Sequence, residues 1–439
     1  MKEKKKLRDV QVEELLNHRI IPYIYLFIVM AFFHIFCFED YGDDVTVLEN
    51  LCPTVWEEIK FIPSICNGWS GRYIINPFIH IMMHFDYRVW LVFELIFIMG
   101  MYNIIRKYGL SNDRVPCLYM LSSSMCTLTL LDYYEVGWRV VSITYIWVAI
   151  AAMVACLSIV KSYTDKSVKW YMWIVYLLLT MVAANKEEMS VMFVIIFTVA
   201  VVMLIKEKKQ VLLVALQTVV CYISLFSHLF SSDNQARYET KMVVAARSHT
   251  FIDRAIIGVS TTFRHILFEY NLGFFCLAIV LVLVIWFSKK DIIPRLISLI
   301  PLVLWFMTWI PGEIDYMFGT NTTGGPRIVA TIILGVIAVL AIVICFYYMY
   351  GFNWKFVWMS VVLIAGIAGR FVVGFGNSGW QRYERTYTFL YIVMIAITAI
   401  IASDVWDKLS YRKKQVLFGV IVTLGCVGIF KNILDLGVI

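Results

Sequence analysis

The sequence predicts an all-α polytopic transmembrane protein of about 13 (12–14) membrane-spanning helices, and three observations carry that prediction. Hydrophobic residues make up 61% of the 439 positions and charged residues only 16%, where a soluble domain carries about 25% charged. The mean hydropathy is +0.78. Apolar runs long enough to cross a bilayer recur along the whole length, separated by short polar strings. Lysine and arginine gather in alternate strings, at Arg106-Lys107, 206–209, Lys289-Lys290 and 412–414, as cytoplasmic loops do. No stretch is left for a sizeable soluble domain, so 1–439 reads as a single integral-membrane domain.

In chain order, the basic segment 1–19 is expected in the cytoplasm. Residues 20–38 form the first span, a retained signal anchor, because no small-residue cleavage site follows and its far flank is acidic. Further spans are expected near 89–105, 115–132, 138–160, 170–184, 189–205, 211–230, 271–288, 292–311, 328–350, 356–374, 387–402 and 415–430. The longest connections are 39–88 and 231–270, both extracytoplasmic in this threading. The first is expected to be structured. Its segments 54–62 and 72–84 carry apolar residues at helical spacing and suit interfacial helices, with Pro63 and Gly68 breaking the chain between them. Trp56, Trp69 and Tyr73 suit the headgroup level.

The extracytoplasmic charges are the informative ones. Asp43 and Asp44 lie just beyond the first span, at the lipid–water boundary, where carboxylates can serve as a base, a metal ligand or a cation site. Other charges sit at Arg72, around Asp132, Glu135 and Arg139, in NKEE at 185–188, in 231–270, in 312–327 and in 376–388. With the N-terminus inside, all of these fall on one face. A plainer account exists for each. Asp43 and Asp44 could cap a short helix at 45–51, and Arg72 could pair with Asp43, Asp44 or Asp86. Glu187 and Glu188 could be a solvated turn with Lys186, and Arg327 could snorkel to the interface after a helix-starting proline. Glu94 lies within a span and reads as a helix-packing partner, because a lipid-facing charge there costs roughly 2–3 kcal/mol.

The motifs YGDDV at 41–45, NGWSGR at 67–72, GWRVVSITYIW at 137–147, NKEE at 185–188, SSDNQARY at 231–238 and GGPR at 324–327 resemble, in order and spacing, the GT-C superfamily of integral-membrane glycosyltransferases. More closely, they resemble a bacterial polytopic membrane family assigned to that superfamily. The sequence departs from that family in having NGWSGR for a WNGR-like string and SDNQAR where a Pro-Gly-Asn string is usual. The resemblance implies a GT-C-like fold in the bacterial plasma membrane. It also implies transfer of a sugar from a polyprenyl-phosphate carrier to a cell-envelope glycan or lipid acceptor on the extracytoplasmic face.

That chemistry needs a carboxylate to take the proton of the acceptor hydroxyl, and Asp43 and Asp44 are the candidates, Asp43 slightly favoured. It also needs cations for the phosphate leaving group. Arg72, Arg327, Arg382 and Arg385 suit it because the guanidinium fork matches phosphate oxygens. Trp69 and Glu187 complete the candidate substrate-binding set. A single displacement would invert the anomeric centre. No cofactor is marked by a motif, and a divalent metal (Mg or Mn) held by Asp43 and Asp44 is left open.

The partners implied are membrane lipid, a polyprenyl-phosphate-linked sugar donor and the acceptor, with no nucleic acid. Cys52 and Cys66 share the first loop and could form a disulfide in an oxidising compartment. The sequence holds no nucleotide-binding loop, no dinucleotide fingerprint and no zinc-type cysteine spacing, and its histidines show no metal spacing, although His80 and His84 share a helix face. Two alternatives remain: a carrier or flippase for a glycolipid or other anionic solute, and a polysaccharide polymerase.

Overall fold

The computed structural model describes residues 16–35, 43–66, 72–128, 130, 138–164, 168–230, 250–269, 271–307, 326–375 and 384–438. Every element among them is helical. In order these are α1 (Ile21–Ile35), α2 (Asp43–Leu48), α3 (Val55–Cys66), α4 (Ile75–Met83), α5 (Tyr87–Gly109), α6 (Val115–Met125) and α7 (Arg139–Tyr163). They continue with α8 (Trp170–Ala184), α9 (Glu187–Lys206), α10 (Leu212–Phe230), α11 (Phe251–Phe268), α12 (Leu272–Ser288) and α13 (Ile292–Phe306). The last four are α14 (Pro326–Tyr350), α15 (Trp354–Phe371), α16 (Thr388–Trp406) and α17 (Tyr411–Val438).

Among the described residues, eight helices are long and apolar enough to cross a membrane: α5, α7, α9, α10, α14, α15, α16 and α17. A ninth exists if α11 and α12, bent by 64°, are one broken span, and α1, α8 and α13 are apolar but shorter. The expected count of thirteen is therefore not reached. Among the described residues, the expected span at 115–132 holds the eleven-residue α6 and a turn after it. The latter part of the second long connection is the 18-residue amphipathic α11. Thr250 starts that helix with a reciprocal capping box to Asp253. Within 39–88, helices do form at both expected places. Pro63, however, lies inside α3 and does not end it. Near a helix end, a missing N–H removes one backbone bond, which a surface helix tolerates.

The core runs along α16 and α7. The window of the span containing α16 is 83% buried and that of α7 is 72% buried, whereas α10, α14 and α17 keep one apolar face outward. Helix α16 packs against α6, α12 and α15, and α9 packs against α10 and α15. One close approach fixes α9 against α15. A Cβ on Gly369 would lie 2.7 Å from the Glu188 carbonyl oxygen and 2.6 Å from Met192 Cγ, so only glycine allows it.

Candidate functional site

At one end of the bundle, the short helix α2 meets the start of α7. Asp44 is buried, and its two carboxylate oxygens accept the backbone N–H groups of Arg139 (3.1 Å) and Val140 (2.9 Å). This is a helix cap supplied from another segment. It satisfies donors that the first turn of α7 cannot satisfy itself, and it places negative charge at the positive end of the helix dipole. Burial pushes the Asp44 carboxyl up to about 6. The two backbone N–H groups and the Arg139 guanidinium pull the other way without cancelling it.

Asp43, its neighbour, points elsewhere. Its carboxylate accepts from the Arg385 guanidinium at 2.6 Å, and its side chain is 50% exposed. The two carboxylates thus address different partners and do not form a shared chelating pair. Among the described residues, no group of three or more His, Cys, Asp or Glu side chains is arranged to hold a metal ion.

The string NKEE turns out to be a packing hub. Asn185 Oδ1 accepts the N–H groups of Ile74 (2.9 Å) and Ile75 (3.0 Å), which starts α4. Arg72 donates from Nε to both oxygens of Glu187 at 3.2 Å, so its partner is Glu187. Lys186 is buried, pairs with Glu187 (3.1 Å) and Glu188 (2.5 Å), and lies 4.9 Å from the centre of the Tyr145 ring. Burial and Arg72 both work against charge on Lys186, but Glu187, Glu188 and Tyr145 outweigh them and the net shift is upward. For Arg72, burial also works downward, and Glu187 leads the influences that carry it upward. The tyrosine at 145 continues the wall, with its ring 5.5 Å from Phe389 at the head of α16.

A second cluster stands beside Arg385. The buried Arg370 donates to the Tyr387 hydroxyl at 3.0 Å and lies 4.1 Å from the centre of that ring. His265 stacks on the other side of this neighbourhood, 3.7 Å from the Tyr387 ring centre, and reaches the Tyr391 hydroxyl and Glu269, each at 2.5 Å. Gly258 and Gly374 let α11 touch the turn after α15, since a Cβ on Gly258 would lie 2.1 Å from the Phe371 carbonyl oxygen.

A third cluster closes the first loop. Glu58 is buried and binds the Cys52 N–H (2.7 Å), His80 (2.9 Å) and His84 (3.2 Å). Burial favours the neutral acid there, but the bonds from Cys52, His84 and His80 outweigh it and hold the carboxyl below its usual range.

An apolar groove of about 610 Å³ runs along the bundle below this polar end. Its walls come from α5, α7, α9, α15 and α16. Along α9 it extends from Met189 to Leu204, about 22 Å at about 1.5 Å per residue. Its upper end is Phe389 and Met189, within one helical turn of Arg385 and Glu188, and its lower end is Lys355, Trp354 and Tyr163.

Of the residues singled out by sequence, the structure brings Asp43 to Arg385 and Arg72 to Glu187. Trp69, Arg382 and the side chains of Arg327 and Cys66 lie outside the described residues. Sequence reasoning gave no site role to Lys186, Tyr145, Arg370, Tyr387 and His265, nor to Glu58. Arg370 carries a signal, as the one charge in the last turn of a largely apolar helix. Tyr145 and Tyr387 carry none, because their partners Lys186, Phe389, His265 and Arg370 lie on other segments. No protein-family model, curated protein or solved structure matches this chain.

Proposed function

We propose that this chain is a membrane glycosyltransferase that moves a sugar from a polyprenyl-phosphate carrier to a cell-envelope glycan or lipid acceptor on the extracytoplasmic face. One observation carries the reading furthest: the long apolar groove reaches Met189 and Phe389, within one helical turn of Glu188 and of Arg385, the partner of Asp43. A donor with an isoprenoid tail and a phosphate head needs such a sequence of surfaces, apolar along the membrane and cationic at the interface. In this reading Asp43 is the general base, because it is accessible while Asp44 is consumed by the cap on α7. The acceptor hydroxyl loses its proton to Asp43 as it attacks the anomeric carbon, and the carrier phosphate leaves. Arg385, one guanidinium away, stabilises the developing charge on that phosphate. Asp44 supports by fixing the helix whose Arg139 and Tyr145 border the site.

The carrier alternative has one observation in its favour, an ionisable pair buried within the spans, His34 and Glu94. The two readings part in a single experiment. Mass spectrometry of envelope glycans and lipid-linked sugars, with and without the chain, should show a lost decoration and an accumulated carrier-linked monosaccharide. Unchanged glycans together with altered solute uptake would favour the carrier and remove the transferase.

A further inference from the structure

Glu94 and His34 are both fully buried, on α5 and α1. Glu94 Oε2 accepts hydrogen bonds from the Ser142 hydroxyl and the Trp147 indole N–H, both at 2.5 Å. Glu94 Oε1 and His34 Nε2 have no hydrogen-bond partner, and they face each other at 3.6 Å. The other imidazole nitrogen settles the proton inventory. His34 Nδ1 lies 2.6 Å from the Met30 carbonyl oxygen, which can only accept, so Nδ1 carries a hydrogen. A neutral His34 therefore presents a lone pair at Nε2, aimed at a carboxylate oxygen that also presents only lone pairs.

That arrangement sets two acceptors against each other and leaves a net charge of −1 inside a membrane-spanning helix, which is costly at this depth. One added proton removes both problems. Placed on Nε2 it makes an imidazolium–carboxylate pair; placed on Oε1 it makes a neutral acid donating to imidazole. Either way the pair is electrically neutral. Among the described residues one other unpaired donor stands nearby, the Trp90 indole N–H, and a neutral donor leaves the charge of −1 in place. On α7 the neighbours are Ser142 and Trp147, both already bonded to Oε2. On α5, Tyr87 donates to the His34 carbonyl and Trp90 lies 5.7 Å from the imidazole, ring to ring. The nearest cation along α7, Arg139, is directed to the Phe85 carbonyl and lies near Asp44.

We propose that His34 and Glu94 form a binding site for a single proton within the membrane-spanning bundle. The site backs onto the π-helical turn Ile143–Trp147, which also carries Tyr145 toward Lys186. This goes beyond the transferase reading and does not depend on it.

The test is infrared spectroscopy of the full-length chain in lipid nanodiscs, in mildly alkaline buffer so that Asp44 is ionised. The native spectrum is compared with Glu94→Gln, and the ¹⁵N-histidine spectrum of the native chain with that of His34→Gln. Glutamine at 94 keeps an acceptor for Ser142 and Trp147 and offers an N–H to His34, so folded protein is expected at native yield. Loss of a protonated-carboxyl carbonyl band in Glu94→Gln places the proton on Glu94. Loss of carboxylate bands there, with loss of one imidazolium signal in His34→Gln, places it on His34. Both outcomes support the site. Loss of carboxylate bands with loss of a neutral imidazole signal overturns it. If Glu94→Gln is not recovered folded, the native-minus-His34→Gln infrared difference is read in its place. It supports the site if it shows a perturbed protonated carboxyl or an imidazolium, and overturns it if it shows neither.

Discussion

Asp43 and Arg385 are 342 positions apart in the chain and 2.6 Å apart in the structure. Asp44, the adjacent residue, faces the opposite way into the start of α7. One turn of a short helix therefore separates an accessible carboxylate from a buried one, and their roles can be tested separately.

Asp43→Asn should lower sugar transfer by roughly 10²-fold or more, because the amide cannot take a proton. Asp43 is half exposed in its pair with the 12% exposed Arg385, and pairs open to solvent on one side contribute about 0–1 kcal/mol, so folded yield should barely change. Transfer assayed on purified chain with a polyprenyl-phosphate sugar checks this. Near-native transfer would leave Asp43 as a surface partner of Arg385.

Asp44 should act on stability. Asp44→Ala leaves two backbone N–H groups without acceptors and should cost about 1–3 kcal/mol, read as a lower unfolding midpoint in detergent. Its pH dependence has a definite sign. The folded carboxyl sits at about 6 against an ordinary 3.8, so the folded state holds the proton more tightly. That contribution is complete below 3.8 and is lost as pH rises through 6, a loss of about 3 kcal/mol. Asp44→Asn should remove this slope, and an unchanged slope would remove the assignment.

Glu58 should have the opposite sign. Its carboxyl is held low by Cys52, His84 and His80, so its contribution is present above the ordinary glutamate range and is lost as pH falls through the depressed value. Acid should therefore loosen α3 from α4, and hydrogen exchange across Val55–Met83 should speed up there. Glu58→Gln should be loosened already at neutral pH.

Arg385→Lys replaces a planar fork with a point charge and should weaken donor affinity by roughly tenfold, about 1.4 kcal/mol. Arg327→Lys and Arg382→Lys should do the same if those side chains hold the phosphate. Donor titration against folded yield separates binding from folding, and equal losses in both would make the arginines structural.

Orientation can be checked with cysteine labelling from outside the cell. A cysteine placed at Ser232, Thr322 or Ser378 should react, and one at Lys208 or Lys413 should not. The reverse pattern would turn the polar end to the cytoplasm and end the envelope reading.

The sequence by itself determined the class of this protein. Apolar runs of bilayer length depend only on local composition, so they read directly as membrane-crossing helices. It also marked the first loop as helical and the acidic pair as worth testing, since helical spacing and depth are local properties. The number of full spans came from the folded chain: among the described residues α6 is shorter than its apolar run suggested, α8 and α13 are fifteen residues long, and α11 bends by 64° into α12.

Tertiary structure alone decided the partners. Arg72 met Glu187 rather than any of the three aspartates near it in sequence, and Asn185 capped a helix 110 residues away. Asp44 became a cap for α7 while Asp43 stayed accessible. Glu94 found a histidine from another helix. Each of these is a contact between distant segments, fixed by which helices pack together. No periodicity or spacing along one chain encodes where a side chain on another element will point.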